Sequence, residues 1–197
     1  MLWLPGLVTG RSALDAGTAV SWTTVFDGSA TLNGTTDGNG NGGWTTMAIF
    51  NPGSLTSSSS KTQCRLTIRF GSDSGSTGTP NTFYFGQGDT APGDAYDFNT
   101  TPAAVTFTGI AAGANAQFVS DAFALPETYD AAQPYICCWF TPVGSNASVA
   151  YAGLGTGNLH RIAFKETTTT DSATVDKSGY GIADDTGLFV TKIEVAA

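Results

Sequence analysis

Cys64-Arg65-Leu66-Thr67-Ile68-Arg69-Phe70 alternates along its whole length: Cys64, Leu66, Ile68 and Phe70 share one side of an extended chain, and Arg65, Thr67 and Arg69 share the other. Successive side chains of a strand point to opposite faces, so this stretch reads as a strand with one face in a core and one in water. The closing segment repeats the pattern, with Phe189, Thr191, Ile193 and Val195 opposing Leu188, Val190, Lys192 and Glu194. Tyr135-Ile136-Cys137-Cys138-Trp139-Phe140 differs in being apolar on both faces, which predicts a central or covered strand. Further segments of strand length lie at 19–26, 44–50, 82–85, 104–108, 116–124, 147–152 and 161–165, giving about ten strands in all. No stretch keeps a 3.6-residue period for three turns.

Composition agrees with the alternation. Charged residues are 12% of the 197, about half the usual share, and Gly, Ser, Thr and Asn fill the difference. Such a chain is a poor helix former but apolar enough, at 41%, to build a core. Turn chemistry separates the strands at 37–43, 51–53, 72–80, 88–93, 141–144 and 153–158, while 54–60 and 166–181 read as longer polar loops. The expected fold is all-β: a single jelly-roll-like antiparallel β-sandwich over residues 22–197, preceded by an extended N-terminal arm over residues 1–21.

Sixteen acidic against eight basic residues give a net charge of −8, which repels phosphate backbones and argues against nucleic-acid binding. The apolar start, Met1 to Val8, has no basic flank, contains Pro5 and is too short to span a bilayer, so no membrane insertion is expected. Trp3, Leu4 and Leu7 read instead as the apolar contacts of an arm that packs on a neighbour. Cys64, Cys137 and Cys138, odd in number and two of them adjacent, read as buried free thiols of a protein folded in a reducing cytoplasm.

Candidate chemistry is sparse. His160 is the single histidine and no Gly-x-Ser-x-Gly elbow exists, so a serine-hydrolase triad is not expected and His160 reads as a strand-edge residue. Asp94 and Asp97, within Gly88 to Asp97, are the carboxylates a glycan hydrolase would use; loop aspartates more commonly accept backbone N–H bonds. Asp37-Gly38-Asn39-Gly40-Asn41-Gly42 matches the first half of a calcium loop, with Asp37, Asn39 and Asn41 as oxygen ligands. Ala48 nevertheless stands where the bidentate Glu belongs, so a flexible hairpin loop is favoured, no cofactor or metal is expected, and calcium is the alternative. Aromatic and amide side chains remain as binding groups. Trp44 and Tyr96, with Asp94 and Asp97 to fix hydroxyls, form the expected carbohydrate-binding set, although most rings of a sandwich belong to its core.

Gly93-Asp94-Ala95-Tyr96-Asp97-Phe98, then Ala104 to Gly109, Val119 to Leu125 and Tyr135 to Phe140, resemble a β-sandwich module of tailed-phage virion proteins. Gly187 to Val195 is similar to the last strand of that module, and the resemblance covers roughly residues 60–197. Similar strand patterns precede some SGNH-type esterase domains, whose catalysis sits in another domain. The resemblance implies a non-enzymatic particle component of a phage or gene transfer agent: a head spike, head fibre, capsid decoration or tail-fibre protein. It also implies contact with host surface polysaccharide, without a residue signature that maps onto positions here. The expected protein is thus a virion-surface subunit, assembled in the host cytoplasm as a homo-oligomer with other virion subunits. A free carbohydrate-binding module or lectin, and a glycan hydrolase, are the alternatives.

Overall fold

A computed structural model describes residues 19–28, 32–40, 43–70, 79–90, 96–111, 113–142, 146–152, 160–166, 172–184 and 190–197. Trp3, Leu4, Leu7, Asn41 and Asp94 lie outside them. Among the described residues there are thirteen strands: β1 (Thr23–Asp27), β2 (Leu32–Gly40), β3 (Trp44–Phe50), β4 (Gln63–Arg69), β5 (Asn81–Gln87), β6 (Ala103–Val105), β7 (Gln117–Val119), β8 (Phe123–Ala124), β9 (Tyr135–Thr141), β10 (Asn146–Ala152), β11 (His160–Glu166), β12 (Gly181–Asp184) and β13 (Val190–Ala196). A 3-10 turn, Pro52–Ser54, interrupts the long connection after β3.

The strands form two packed antiparallel sheets and a separate two-stranded ribbon. One sheet has the order β1-β13-β4-β7, with β8 also on β4; the other runs β12-β11-β3-β9-β5-β6; the ribbon is β10-β2. Counting β7 and β8 as one strand and setting aside β2, β10, β11 and β12, the remaining eight strands in chain order give 1-8-3-6 facing 2-7-4-5. That is the jelly-roll order. β11 and β12 widen the second sheet on the β3 side.

Two bulges explain where simple alternation fails. β4 pairs with Gln117–Val119 in one register and with Phe123–Ala124 in a register one residue displaced, so the strand expected at 116–124 is one strand with an extra residue. Ser120 fills the gap: its N–H donates to the Leu66 carbonyl at 2.8 Å, and its Oγ accepts the Leu66 N–H at 2.9 Å. In β13 the register slips between Val190 and Lys192. Val190 therefore joins Ile193 and Val195 in the core, where strict alternation put it on the opposite side.

Between the sheets lies one apolar cluster that includes Phe26, Phe50, Leu66, Ile68, Phe70, Phe85 and Trp139. β9 is apolar on both faces because both are covered. Tyr135, Cys137 and Trp139 enter the main core, while Ile136 and Cys138 join Met47, Ile49, Phe98 and Tyr180 in a second cluster on the outer face of the six-stranded sheet. All three cysteines are free and buried. Burial raises the Cys64 and Cys137 thiols well above their ordinary range, since a thiolate there would be unsolvated; Glu194 adds to the effect at Cys64, and Cys138 at Cys137.

Residues 37–40, expected to begin a glycine-rich turn, are instead strand, with Asp37 opposite Val149 and Asn39 opposite Ala147. Their glycines are compatible with a ribbon because β10 supplies the ladder partner that a lone Gly-rich segment lacks. No helix among the described residues is long and apolar enough to cross a membrane.

Candidate functional site

The second apolar cluster exists because two connections fold over the six-stranded sheet, and they carry Tyr96 and Asp97, two of the four expected carbohydrate-binding residues. Gly88 and Phe98 form an isolated antiparallel bridge, Asp89 N–H donates to the Asp97 carbonyl at 2.7 Å, and Asn99 N–H donates to the Gln87 carbonyl at 2.9 Å. Gly86 permits the fold-over: a Cβ there would sit 3.3 Å from Cδ1 of Phe98, closer than side-chain carbons ordinarily approach. The segment at 172–180 locks on top, with Phe98 N–H donating to the Val175 carbonyl at 3.1 Å.

Asp97 is the clamp between these segments. Its carboxylate, 6% exposed, accepts the Lys177 N–H at 2.6 Å. The Lys177 side chain is buried as well, with its ammonium 4.1 Å from the Phe98 ring centroid and bonded to the Thr174 carbonyl. Tyr96 is half-buried, its ring 5.4 Å from that of Tyr180 and inclined by 34°. Lys165 completes the group, 5.6 Å from the Tyr180 ring and donating to the Ser178 carbonyl at 2.9 Å. Beside the clamp is an open cleft of about 310 Å³ lined by Asp89, Asp97, Phe98, Asn99, Val175 and Asp176.

Trp44 is elsewhere. It opens β3 opposite Thr141, whereas the Gly88 N–H meets the Pro134 carbonyl at the other end of β9. Seven residues of strand separate the two levels, about 24 Å at the usual rise. Tyr96 and Asp97, neighbours in the sequence, lie on the cover over the six-stranded sheet, and Trp44 is not with them. His160 opens β11 opposite Phe50, and Asp37 and Asn39 lie in β2.

Two features escaped the reading of the sequence. A cleft of about 400 Å³ lies against Ser57, Ser58, Ser59, Ser60, Tyr129 and Asp130, at the end of the sandwich that also holds the Asp97 cleft. It is framed by Tyr129, whose hydroxyl donates to the Thr56 carbonyl at 2.9 Å and whose ring stacks 5.4 Å from Tyr135. Burial, and then the neighbouring Tyr135, pushes the Tyr129 phenol well above its usual range. Asn99 Nδ2 donates to Glu127 Oε1 at 3.2 Å, so Asp89, Asp97, Glu127, Asp130 and Asp176 mark one acidic end. The second feature is on the outer face of the five-stranded sheet, where the Arg65 guanidinium lies 4.6 Å over the Trp22 ring and bonds Glu194 at 2.7 Å. A serine run reads as loop, and only the fold sets it beside Asp130; Trp22 meets Arg65 because it directly precedes β1, which β13 joins to β4.

Chemically, the acidic end offers carboxylates, an amide and hydroxyls around two shallow clefts, a surface suited to sugar hydroxyls. No group of three or more His, Cys, Asp or Glu able to hold a metal occurs among the described residues. Compared with known proteins, the chain matches no family model and no curated sequence.

Proposed function

We propose that the chain is a non-enzymatic structural subunit on the surface of a tailed phage or phage-like particle, and that its acidic, cleft-bearing end meets host surface carbohydrate. The observation that carries this reading is the jelly-roll order 1-8-3-6 facing 2-7-4-5, an architecture recurrent in viral capsid and lectin domains. Folds host many functions, so the order supports the class of role rather than a ligand. The resemblance of residues 60–197 to phage virion modules supports the same class. A hydrolase built on Asp97 is disfavoured because that carboxylate is already held by the Lys177 N–H at 2.6 Å.

The test is a pull-down of the full chain, and of a variant lacking Met1 to Gly10, against phage-like particles, host cells and their extracted polysaccharide. Arm-dependent particle binding together with cell binding is the expected result. Polysaccharide binding without particle association would assign the chain to the free lectins instead, and binding to neither would refute both readings.

A further inference from the structure

The segment at 172–180 forms a strap across the outer face of the six-stranded sheet. It starts beside β5, where the fully buried Ser172 hydroxyl donates to Thr82 Oγ1 at 3.2 Å, and it ends where Gly181 opens β12. β9, β3 and β11 lie between those two strands in the sheet. Along the way the strap lays Val175 and Tyr180 on Met47, Ile49, Ile136 and Cys138, the share of the second apolar cluster that β3 and β9 supply.

Its attachment differs in kind from that of the strands. No residue from 172 to 180 belongs to a strand. Hydrogen bonds pin the strap at Ser172, at Val175, whose carbonyl accepts the Phe98 N–H, at Lys177, whose N–H donates to Asp97, and at Ser178, whose carbonyl accepts the exposed Lys165 ammonium. The first of these points rests on a strained residue: Thr82 has a φ of 49°, a left-handed backbone that a β-branched side chain rarely adopts. Gly179, with a φ of 75°, turns the chain just before β12. The main core takes no residue from 172–180, so lifting the strap leaves that core packed. A segment with few apolar contacts of its own and solvent-facing hydrogen bonds opens at lower cost than the strands beneath it.

We propose that the strap at 172–180 opens as a unit while the sandwich stays folded. Closed, it supplies Val175 and Asp176 to the cleft that Asp89, Asp97, Phe98 and Asn99 also line, and it covers the apolar outer face of β3 and β9. Open, it takes that wall of the cleft away and uncovers part of the apolar face, Cys138 with it. A complete cleft and an open strap exclude one another, so the strap sets the fraction of molecules that have the cleft at all. Opening requires no particle and no glycan, so it stands or falls independently of the virion reading.

β9 carries its own probe of this motion. Cys138 faces the second cluster, whereas its neighbour Cys137 faces the main core, as does Cys64, and all three thiols are free and buried. The test incubates the native full chain with N-ethylmaleimide and reads labelling at each cysteine by fragmentation mass spectrometry. Cys138 is expected to react at least about tenfold faster than Cys64 and Cys137, because strap opening exposes it without global unfolding. Asp97→Ala removes a charged acceptor from the strap and should speed Cys138 by about a further 10- to 150-fold, with Cys64 and Cys137 unchanged. Because Asp97→Ala could unfold the sandwich itself, Lys165→Met provides a second variant. It removes the exposed tether to Ser178 and the cation beside Tyr180, and should speed Cys138 alone by about 2- to 10-fold. Equal reactivity of the three thiols in the parent would overturn the proposal. So would both variants speeding all three thiols together, or neither of them speeding Cys138.

Discussion

Truncation of Asp97 to Ala tests whether this carboxylate is a fastener or a reagent. The side chain is 6% exposed and its Oδ1 accepts the Lys177 N–H at 2.6 Å, so the alanine variant leaves a buried backbone donor without its charged acceptor. A hydrogen bond to a charged group contributes about 1.5–3 kcal/mol. In a domain of this size each kcal/mol moves Tm by about 2–4 °C, so a fall of roughly 3–12 °C is expected if the sandwich and its cover unfold together. Asp97→Asn retains an acceptor oxygen at the same place and should lose less than half as much. Hydrogen exchange separates the remaining case: if the cover opens alone, Tm changes little but the amides of Lys177 and Tyr180 lose protection in the alanine variant. Unchanged Tm together with unchanged exchange would refute the clamp. Loss of a glycan-cleaving activity in Asp97→Asn at undiminished stability would move the carboxylate into catalysis.

Three further outcomes can be checked. Ser120→Ala strips the Leu66 N–H of its acceptor at the bulge and should cost about 1–3 kcal/mol in urea unfolding, a loss that Thr106→Ala at an exposed position should not share. Cys64 and Cys137 are held protonated by burial, so the unfolded chain releases protons above about pH 9 that the folded chain retains; stability should be level below that value and fall above it by about 1.4 kcal/mol per pH unit for each thiol. Both thiols should correspondingly resist a thiol reagent until denaturant is added. Because Trp44 and Tyr96 stand at different levels of the sheet, a single glycan site should respond to only one of Trp44→Ala and Tyr96→Ala, by about 1–3 kcal/mol in a binding titration; equal losses would contradict the separation.

Much of the fold was legible because strand alternation is a local signal. The Cys64–Phe70 pattern puts Cys64, Leu66, Ile68 and Phe70 in the core, and the apolar faces of Tyr135 to Phe140 correctly foretold a covered strand. The misreadings share one physical cause: a partner strand supplied from far along the chain. The β13 bulge at Thr191, whose hydroxyl reaches the Thr67 carbonyl at 3.4 Å, is invisible without β4. Asp37 to Gly40 carries strong turn chemistry and becomes strand only because β10, more than a hundred residues later, pairs with it. The candidate site was harder still. Asp97 was named as a carboxylate of interest, but its partner Lys177 is 80 residues away and belongs to a loop that gave no signal of its own.

Charge is where sequence and architecture meet most directly. In an antiparallel sandwich successive connections return to alternate ends, so the composition of a loop decides the chemistry of the end it reaches. The connections at 88–102 and 126–134 reach one end with Asp89, Asp97, Glu127 and Asp130, and the cover at 172–180 brings Asp176 to join them. The other end carries charge of both signs: Lys165 and Glu166 stand level with Thr45 and Trp44, and the Thr108 hydroxyl meets Asp121. An acidic end repels its own copies and remains hydrated, whereas an end of mixed sign has no such bias. Any contact that this chain makes with an acidic partner is therefore most opposed at the end holding the two clefts. Charge reversal at the acidic end, Asp89→Lys with Asp176→Lys, should then alter what the chain binds in a titration with host polysaccharide while leaving its Tm within about 2 °C, and unchanged binding would show that this end is not the contact surface.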